Sequence, residues 1–540
     1  MLRRRTVVTA GTAALLAAGC VPRQELEAPP DRPNVAGTGE PTSGVREGGD
    51  LVMALSSEPD RLDPTTSSSL YTRYVMQPMC EKLYDIDSDG EIVPMLATEL
   101  PTIEEGGLTL TFPLRSDAVF SDGEPFNAAA VAAMLTRHLT HEASSRKSEL
   151  GPVDTVEAVD EHTVKVTFSA PFSPFTAALA DRAGMILSPK AVEEMGDDVG
   201  NHPVGVGAFR FVRRVPQTSI ELERDPLYYD ADNVHLDRIT YRIMTDANIR
   251  AANVQSGDVH VADSISPQDI EVLEAARGVT TLQVGSLGYQ ALTINLRDTD
   301  PDGNPIDPPL IATDPRVRQA LSIALDREAL TNTVFNGWYT PAGSPIAPGT
   351  PFSTPESDHL PAYDPDAAKT LLAEAGAPIP YRLQVKVSNS QDALRYAQAM
   401  QAQLSQAGFA LSLLPTEYTA ILDAQDRGDF EAVQLGWSGR VDPHGNAYNF
   451  WTTDASNNYS GYSSPEMDDL LARAAEQTSI DDRAATYGEA VALMQEVNAV
   501  IYLYRQRSLT ALSSDVTGVA TFADGVVRLS HAAFLDEKET

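Results

Sequence analysis

The chain has 540 residues, of which 42% are hydrophobic, and its formal net charge is -36 at pH 7. This length and apolar content allow a large buried core divided over two or three domains. Because acidic residues outnumber basic ones along the whole chain, nucleic acid is not an expected partner.

The N-terminus resembles a bacterial lipoprotein signal. Three arginines at 3–5 precede an apolar run over 6–18, and small residues lead into Cys20. The run is shorter than the about 20 residues of a membrane-spanning helix, so we expect a cleaved signal over 1–20 with lipid on Cys20. The usual leucine three places before the cysteine is Ala17 here. Two of the arginines also resemble a twin-arginine signal, and the export route stays open.

Residues 21–48 are rich in proline and glycine and show no apolar period, which predicts a disordered tether. An abrupt apolar run at 51–55 then predicts a buried strand and the start of the folded body. No run of 18 apolar residues follows residue 20, so membrane attachment is expected only through Cys20. Cys80, the other cysteine, lies in an apolar helical pattern and is expected to be buried.

Strands and helices alternate through the rest of the chain, which predicts mixed α/β domains. The predicted strands are 108–114, 163–168, 209–212, 219–222, 239–243, 292–296, 383–387 and 432–437. Helix starts are predicted at Asp314 and Asp364, each followed by proline, and at Ser463 with Glu466 three residues later.

Catalytic motifs are missing from the sequence. We find no phosphate-binding loop, no HExxH, no GxSxG and no CxxC. Gly205 and Gly207 lack the third glycine of a dinucleotide loop and are expected to serve backbone conformation. Residues 85–90 match half a calcium loop, but Leu96 stands where a bidentate glutamate is needed, so a polar turn is expected. No metal site and no cofactor are therefore predicted.

An ordered series of segments resembles the extracytoplasmic solute-binding proteins of ABC importers, in the oligopeptide, dipeptide and nickel class (family 5). The most specific segment is LRSDAVFSDGEPFNA at 114–128. The others are 58–64, 81–84, 89–97, 203–209, 225–229, 256–259, 314–327, 428–430, GWSGRVDP at 436–443, and 459–462.

The resemblance implies an α/β, two-lobed clamp like the periplasmic binding proteins (type II, large class), with an extra subdomain inserted in lobe one. It divides the chain into lobe one (49–90, 200–288 and 505–540), the inserted subdomain (91–199) and lobe two (289–504). Hinge closure of such lobes around a ligand is the expected motion.

Candidate ligand-binding residues follow from the ends of these segments. Trp437, Arg440 and Asp442 follow an apolar strand, at the kind of edge where α/β clefts form. In peptide-binding relatives an acid near the position of Arg440 pairs with the peptide amine. Arg440 is therefore expected either to hold a carboxylate or phosphate group of the ligand or to pair with Asp442. Ser57, Glu58 and Tyr71 are further candidates near the end of the first strand.

The function implied by the resemblance is capture of a small solute, above all an oligopeptide or dipeptide, for delivery to the permease and ATPase subunits of an importer. The protein is then expected to be a lipid-anchored, extracytoplasmic monomer without enzymatic activity. Two alternatives stay open at this point: a lipid-anchored secreted hydrolase, and a surface sensor that uses the same fold.

Overall fold

The computed structural model describes residues 32–39, 44–453 and 455–536. The predicted signal 1–20, with the lipidation site Cys20, lies outside these residues, as do 21–31 and 40–43 of the predicted tether. Within the described part, no helix combines the length and the apolar character that crossing a membrane requires.

The first large sheet has seven strands, and we call this sheet with its covering helices lobe one. In spatial order the strands are Val279–Gly285, Arg507–Ser513, Val261–Ala262, Asp50–Leu55, Arg238–Ile243, Ser219–Arg224 and Phe209–Val215. Asp50–Leu55 lies between two parallel neighbours. Such a strand is covered on both faces, which explains the unbroken apolar run in its sequence.

The second large sheet has six strands, and we call this sheet with its helices lobe two. In spatial order the strands are Thr340–Pro341, Val500–Arg505, Tyr289–Ile294, Ala432–Trp437, Tyr381–Ser388 and Phe409–Thr416. The last three are parallel, so their carboxyl ends meet at one edge of the sheet.

Residues 91–199, here called the insert, carry a separate antiparallel sheet. Its strands, in spatial order, are Thr102–Glu104, Thr109–Pro113, Thr163–Phe168 and Val153–Asp160. Phe112 and Leu179 of the insert belong to the same hydrophobic core as Leu51 and Tyr241 of lobe one. Main-chain pairing also attaches the insert to lobe one, since Lys82 bridges Met185 and the Leu83 N–H donates to the Gly184 carbonyl at 2.9 Å.

The chain passes from lobe one to lobe two between Gly285 and Tyr289 and returns at Gln506. Two sheets joined by two crossings, with an inserted sheet on one of them, confirm the predicted two-lobed α/β clamp. The α-helices are Leu70–Met76, Ala128–Thr140, Lys147–Leu150, Phe175–Leu179, Pro189–Met195, Ala247–Ser256, Ile270–Glu274, Leu310–Thr313, Pro315–Ile323, Arg327–Phe335, Pro365–Glu374, Gln391–Gln406, Tyr418–Arg427, His444–Trp451, Pro465–Glu476 and Ile480–Val497.

Two of the three predicted helix starts are confirmed by their caps. The side chains of Asp314 and Asp364 accept hydrogen bonds from main-chain N–H groups of the first turn, and proline follows each. The third cap is Ser464 instead of Ser463. Pro465 takes the first helical position, where its missing N–H costs nothing, and this moves the cap one residue along the chain.

The described part of the predicted tether is bound to the folded body, which corrects the expectation for that part. The main chain of Val35 pairs with Gln283 at the edge of lobe one. The guanidinium of Arg32 lies 3.6 Å from the centre of the Trp338 ring in lobe two. Val45–Arg46 pairs with Ala533–Leu535. Pairing at a sheet edge uses main-chain hydrogen bonds and requires no periodic pattern of apolar side chains. The composition of this segment therefore could not reveal the pairing.

Gly205 and Gly207 are needed for close packing, not for an unusual backbone conformation. A Cβ atom on Gly205 would lie 2.5 Å from the carbonyl oxygen of Met79, and one on Gly207 would lie 2.6 Å from the Met79 carbonyl carbon. The neighbouring Cys80 is 1% exposed, which confirms its predicted burial.

Glu81 gives the fold a pH dependence. Burial raises the pKa of its carboxyl to about 7, although hydrogen bonds from the hydroxyls of Tyr228 and Tyr229 oppose the rise. In the unfolded chain the pKa is about 4.3, so between these two pH values the native state binds more protons than the unfolded state. Stability contributed by this group is therefore lost as pH rises from about 4.3 to 7.

We expect Glu81→Gln to remove this loss. The difference in free energy of unfolding, variant minus wild type, should increase by about 3 kcal/mol from pH 4.5 to pH 8. Guanidinium unfolding at the two pH values measures the change, and Glu124→Gln, at a half-exposed surface pair, is the control. Parallel pH dependence of Glu81→Gln and wild type would show that Glu81 is not the source.

Candidate functional site

A cavity of about 370 Å³ lies between the two lobes. Lobe one contributes Ser56, Thr245 and Ser264, each of which directly or closely follows one of three parallel strands. Lobe two contributes Asn389 and Ser438 in the same way. The cavity therefore lies where the carboxyl ends of the parallel strands of both sheets face each other, which is the general position of ligand clefts in α/β proteins.

Three of the predicted residues, Ser57, Tyr71 and Trp437, line this cavity. The Tyr71 hydroxyl accepts a hydrogen bond from Ser56 Oγ at 2.9 Å, and its ring meets that of Tyr418 edge-on at 5.3 Å. Tyr71 belongs to lobe one and Tyr418 to lobe two, so the two rings close one side of the cavity.

Arg440 does not line the cavity, and its carboxylate partner in the protein is Asp181 instead of Asp442. Its Nε lies 3.4 Å from Oδ2 of Asp181 in the insert, and its guanidinium stacks 4.2 Å from the ring of Trp437. Asp442 pairs instead with Arg483 at 2.8 Å. The expected Arg440–Asp442 pair is therefore not observed, because a carboxylate distant in sequence lies beside Arg440. Contact of Arg440 with a ligand group stays a prediction.

Glu58 is also engaged elsewhere. Its carboxylate accepts hydrogen bonds from Arg214 at 2.9 and 2.7 Å and from the main-chain N–H of Gln217 at 2.9 Å. All of these groups belong to lobe one, and the pair stabilises the turn after the first strand. Glu58 is thus placed as a structural residue beside the cavity lining, not in it.

The residues that sequence reasoning missed are Gln434 and Asn457. Both line the cavity and are at most 3% exposed. Among the described residues, neither amide atom of Gln434 has a hydrogen-bond partner, and the same holds for Asn457 Nδ2 and for Trp437 Nε1. A glutamine within the apolar strand Ala432–Trp437 was the available signal for such a role.

The charged groups of the lining are each engaged by the protein. Asp246 caps the helix Ala247–Ser256, and its other oxygen accepts from Gln391 at 3.1 Å. Arg250 donates to three main-chain carbonyl oxygens at 2.7 to 3.1 Å. Glu417 caps the helix Tyr418–Arg427, and Asp392 pairs with Arg395. Arg507, which also lines the cavity, donates to the Pro33 carbonyl at 3.2 Å and to Asn34 Oδ1 at 3.1 Å. The charged side chains thus all have partners in the protein, whereas both amide atoms of the neutral Gln434 have none among the described residues.

The family model for bacterial extracellular solute-binding proteins, family 5, matches residues 91–459 of the chain. The chain belongs to this family.

Its relatives agree with the assignment. The glutathione-binding protein GsiB of Pectobacterium atrosepticum is 31% identical over 487 residues, which are 88% of this chain and 92% of that protein. GsiB of Salmonella typhi is 29% identical over 483 residues, covering 87% and 91%. The function expected from the resemblance, solute binding for an ABC importer, is confirmed at the level of the family.

Solved structures show the same fold. The binding protein AgaA from A. tumefaciens R10, in complex with agropinic acid, matches with a TM-score of 0.80 and 25% identity, covering 89% of this chain and 96% of that one. The murein tripeptide-binding protein MppA of Escherichia coli matches with a TM-score of 0.82 and 22% identity, covering 92% and 100%.

The two lobes of this family 5 clamp contact each other directly in the structure. The main-chain N–H of Ser173 in the insert donates to the Ala475 carbonyl of lobe two at 2.9 Å. Ser266 of lobe one donates to Asp392 of lobe two at 3.0 Å. A solute in the cavity would be held from both lobes at once.

Proposed function

We propose that the protein captures a small peptide, of di- or tripeptide size, between its lobes and delivers it to the permease of an ABC importer. The observation that carries this proposal is the neutral polar wall formed by Gln434, Trp437 and Asn457. A buried amide whose oxygen and nitrogen both lack a partner in the protein is well matched by a ligand group that donates and accepts side by side. A peptide bond is such a group.

The size and aromatic content of the cavity support the same cargo. Its volume of about 370 Å³ falls at the lower end of the about 300–1,000 Å³ typical of small-molecule sites. Tyr71, Trp437 and Phe450 offer apolar faces for side chains. The GsiB relatives are named for binding glutathione, itself a tripeptide, which makes glutathione the first compound to test.

The engaged lining carboxylates support a binding role over hydrolysis. General acid or base catalysis needs a carboxyl that exchanges protons with a substrate at hydrogen-bond distance. Asp246 and Glu417 are committed to helix N-termini, and Asp392 is committed to an ion pair. We therefore propose that the protein has no enzymatic activity. We also propose that it acts as a monomeric clamp made of lobe one (49–90, 200–288 and 505–540), the insert (91–199) and lobe two (289–504).

Titration with glutathione, dipeptides, tripeptides and free amino acids tests the cargo. The expected result is a saturable rise in melting temperature for one or more peptides, since a ligand at 100 times its Kd adds about 2.7 kcal/mol to stability. Free amino acids present no internal peptide bond and are the control. Binding of an opine or a sugar, with no response to any peptide, would contradict the proposal, and turnover of a bound peptide would favour the hydrolase alternative.

We further propose that Cys20 carries lipid after signal cleavage and holds the clamp at the outer face of the cytoplasmic membrane. The support is the sequence of 1–20, with its arginines, short apolar run and small residues before the cysteine. Cys20→Ser is expected to move the protein from the membrane fraction to the soluble fraction of the producing cells. Unchanged fractionation would contradict the anchor.

A further inference from the structure

A cluster of buried charged side chains lies where the insert, lobe one and lobe two meet. Asp181 of the insert pairs with Arg73, with Arg440 at 3.4 Å and with Arg182 at 3.6 Å. Further ion pairs extend the cluster into lobe one, and every member has a side chain at most 10% exposed. Among the described residues, the cluster joins five basic side chains (Arg73, Lys82, Arg182, Arg440 and Arg528) to three carboxylates (Asp85, Asp181 and Asp524).

Basic groups therefore exceed acidic ones by two in this cluster. The adjoining pair of Arg146 with Glu149 adds one charge of each sign and leaves the excess unchanged. Burial, together with the positive charges of Arg146 and Arg440, lowers the pKa of the Arg182 guanidinium to about 9. Because unbalanced charge away from water is costly, the region favours the arrival of an anion.

The excess positive charge lies directly behind one part of the cavity wall. The guanidinium of Arg440 is 4.2 Å from the centre of the Trp437 ring, and that of Arg182 is 5.9 Å from it. Arg73 and Arg440 both donate to Oγ of Ser438, at 3.2 and 3.4 Å. Trp437 and Ser438 line the cavity, so the positive potential of the cluster extends into it.

This part of the wall presents hydrogen-bond donors that lack acceptors. Within the described part of the chain, Trp437 Nε1 and Asn457 Nδ2 have no partner, and neither do Arg440 Nη2 and the Nε and Nη2 of Arg182. Oγ of Ser438 accepts from two arginines, which occupies its lone pairs and leaves its proton for another acceptor. A ligand group that accepts several hydrogen bonds and carries negative charge matches these donors.

We propose that Trp437, Ser438 and Asn457 form a carboxylate subsite, and that Arg182 and Arg440 behind it supply the positive potential that selects an acidic group. The inference rests on the proposed function of peptide capture and deepens it. It assigns the carboxyl group of the cargo to the end of the cavity nearest the insert. A peptide with a free carboxyl group is then preferred over the same peptide in a neutral form.

Arg440 acts in this scheme as a positioning residue. It stacks on Trp437 and donates to Ser438, and it does not itself line the cavity. Loss of its charge should weaken binding of a carboxylate and leave binding of a neutral amide unchanged. A purely structural role would instead lower both affinities by the same factor, so the ratio of the two affinities separates the roles.

Calorimetric titration of the purified protein with trialanine and with trialanine amide tests the subsite. The wild type should bind the free acid about 10- to 100-fold more tightly than the amide. Arg440→Met should lower this ratio about tenfold. The variant is expected to fold, since Asp181 keeps Arg73 and Arg182 as partners. Glutathione, amidated separately at each of its two carboxyl groups, shows which carboxylate occupies the subsite.

Trp437→Phe is the second variant, because it removes the indole N–H and keeps an aromatic ring at the same position. It should lower the ratio of acid to amide affinity about fivefold. Arg473→Met is the matched control for Arg440→Met. Arg473 pairs with Glu489 at the surface and is not part of the cavity lining, so its replacement should leave the ratio unchanged.

Equal affinities of the wild type for acid and amide would overturn the subsite and leave the peptide proposal intact. An unchanged ratio in both Arg440→Met and Trp437→Phe would also overturn it. Each compared pair differs only in the carboxyl group, so the same comparison applies to any cargo. Preference for the acid form of a solute that is not a peptide would support the subsite while refuting the peptide proposal. A cargo without a carboxylate would refute the subsite.

Discussion

Gln434→Leu is expected to weaken binding of the peptide cargo by about 10- to 100-fold. The substitution introduces a slightly shorter, branched apolar side chain and removes both the donor and the acceptor from the cavity wall. A peptide amide buried against leucine loses its hydrogen bonds without regaining those to water, which costs about 1–3 kcal/mol. Calorimetric titration of the peptide that most strongly raises the melting temperature measures the loss.

Gln401→Leu is the matched control for this substitution. Gln401 lies on a helix of lobe two, where its Nε2 donates to the Leu411 carbonyl at 2.9 Å, and it is not part of the cavity lining. Its replacement should leave the Kd unchanged. Equal affinity of Gln434→Leu and wild type for the same peptide would show that the cargo does not bond to this amide.

Arg483→Met is expected to lower the free energy of unfolding by about 3–5 kcal/mol. Arg483 donates to Asp442 at 2.8 Å and to the Ala474 carbonyl at 2.9 Å. Burial by itself would lower the pKa of the guanidinium, but Asp442 raises it above its usual range. Without the arginine, Asp442 stays buried as an uncompensated charge. Guanidinium unfolding monitored by circular dichroism measures the change.

The same replacement at a surface pair provides the comparison. Arg473 bonds to Glu489 at 2.6 Å, with side chains 52% and 61% exposed. Pairs in water contribute about 0–1 kcal/mol, so Arg473→Met should be close to neutral. Similar decreases in the free energy of unfolding for the two variants would mean that burial does not determine how much the Asp442–Arg483 pair contributes to stability.

Many of the strands and helix starts could be predicted from the sequence, because they depend on residues that are close together in the chain. The strand at 163–168 and the strand Ala432–Trp437 are observed with the predicted bounds, and Asp314 and Asp364 cap their helices as expected. Apolar periodicity and capping residues act over a few positions of the chain. Information of that kind is readable without knowing which segments meet in space.

The candidate site was predicted only in part, because partner choice is not local. Trp437 was found since it follows a recognisable strand, and it does line the cavity. The position of Arg440 depends on Asp181, which lies 259 residues earlier in the chain. A sequence pattern cannot reveal that pairing. Gln434 was overlooked because polar residues inside apolar strands were not considered as candidates.

Hydrogen exchange with and without the strongest-binding peptide tests most directly whether the two lobes close around a solute. We expect the bound peptide to slow exchange in both lobes: in segment 432–438 of lobe two and in segments 55–58 and 70–74 of lobe one. Residues of all three segments line the cavity. Protection confined to one lobe, or located away from the cavity, would contradict closure of the clamp on its cargo.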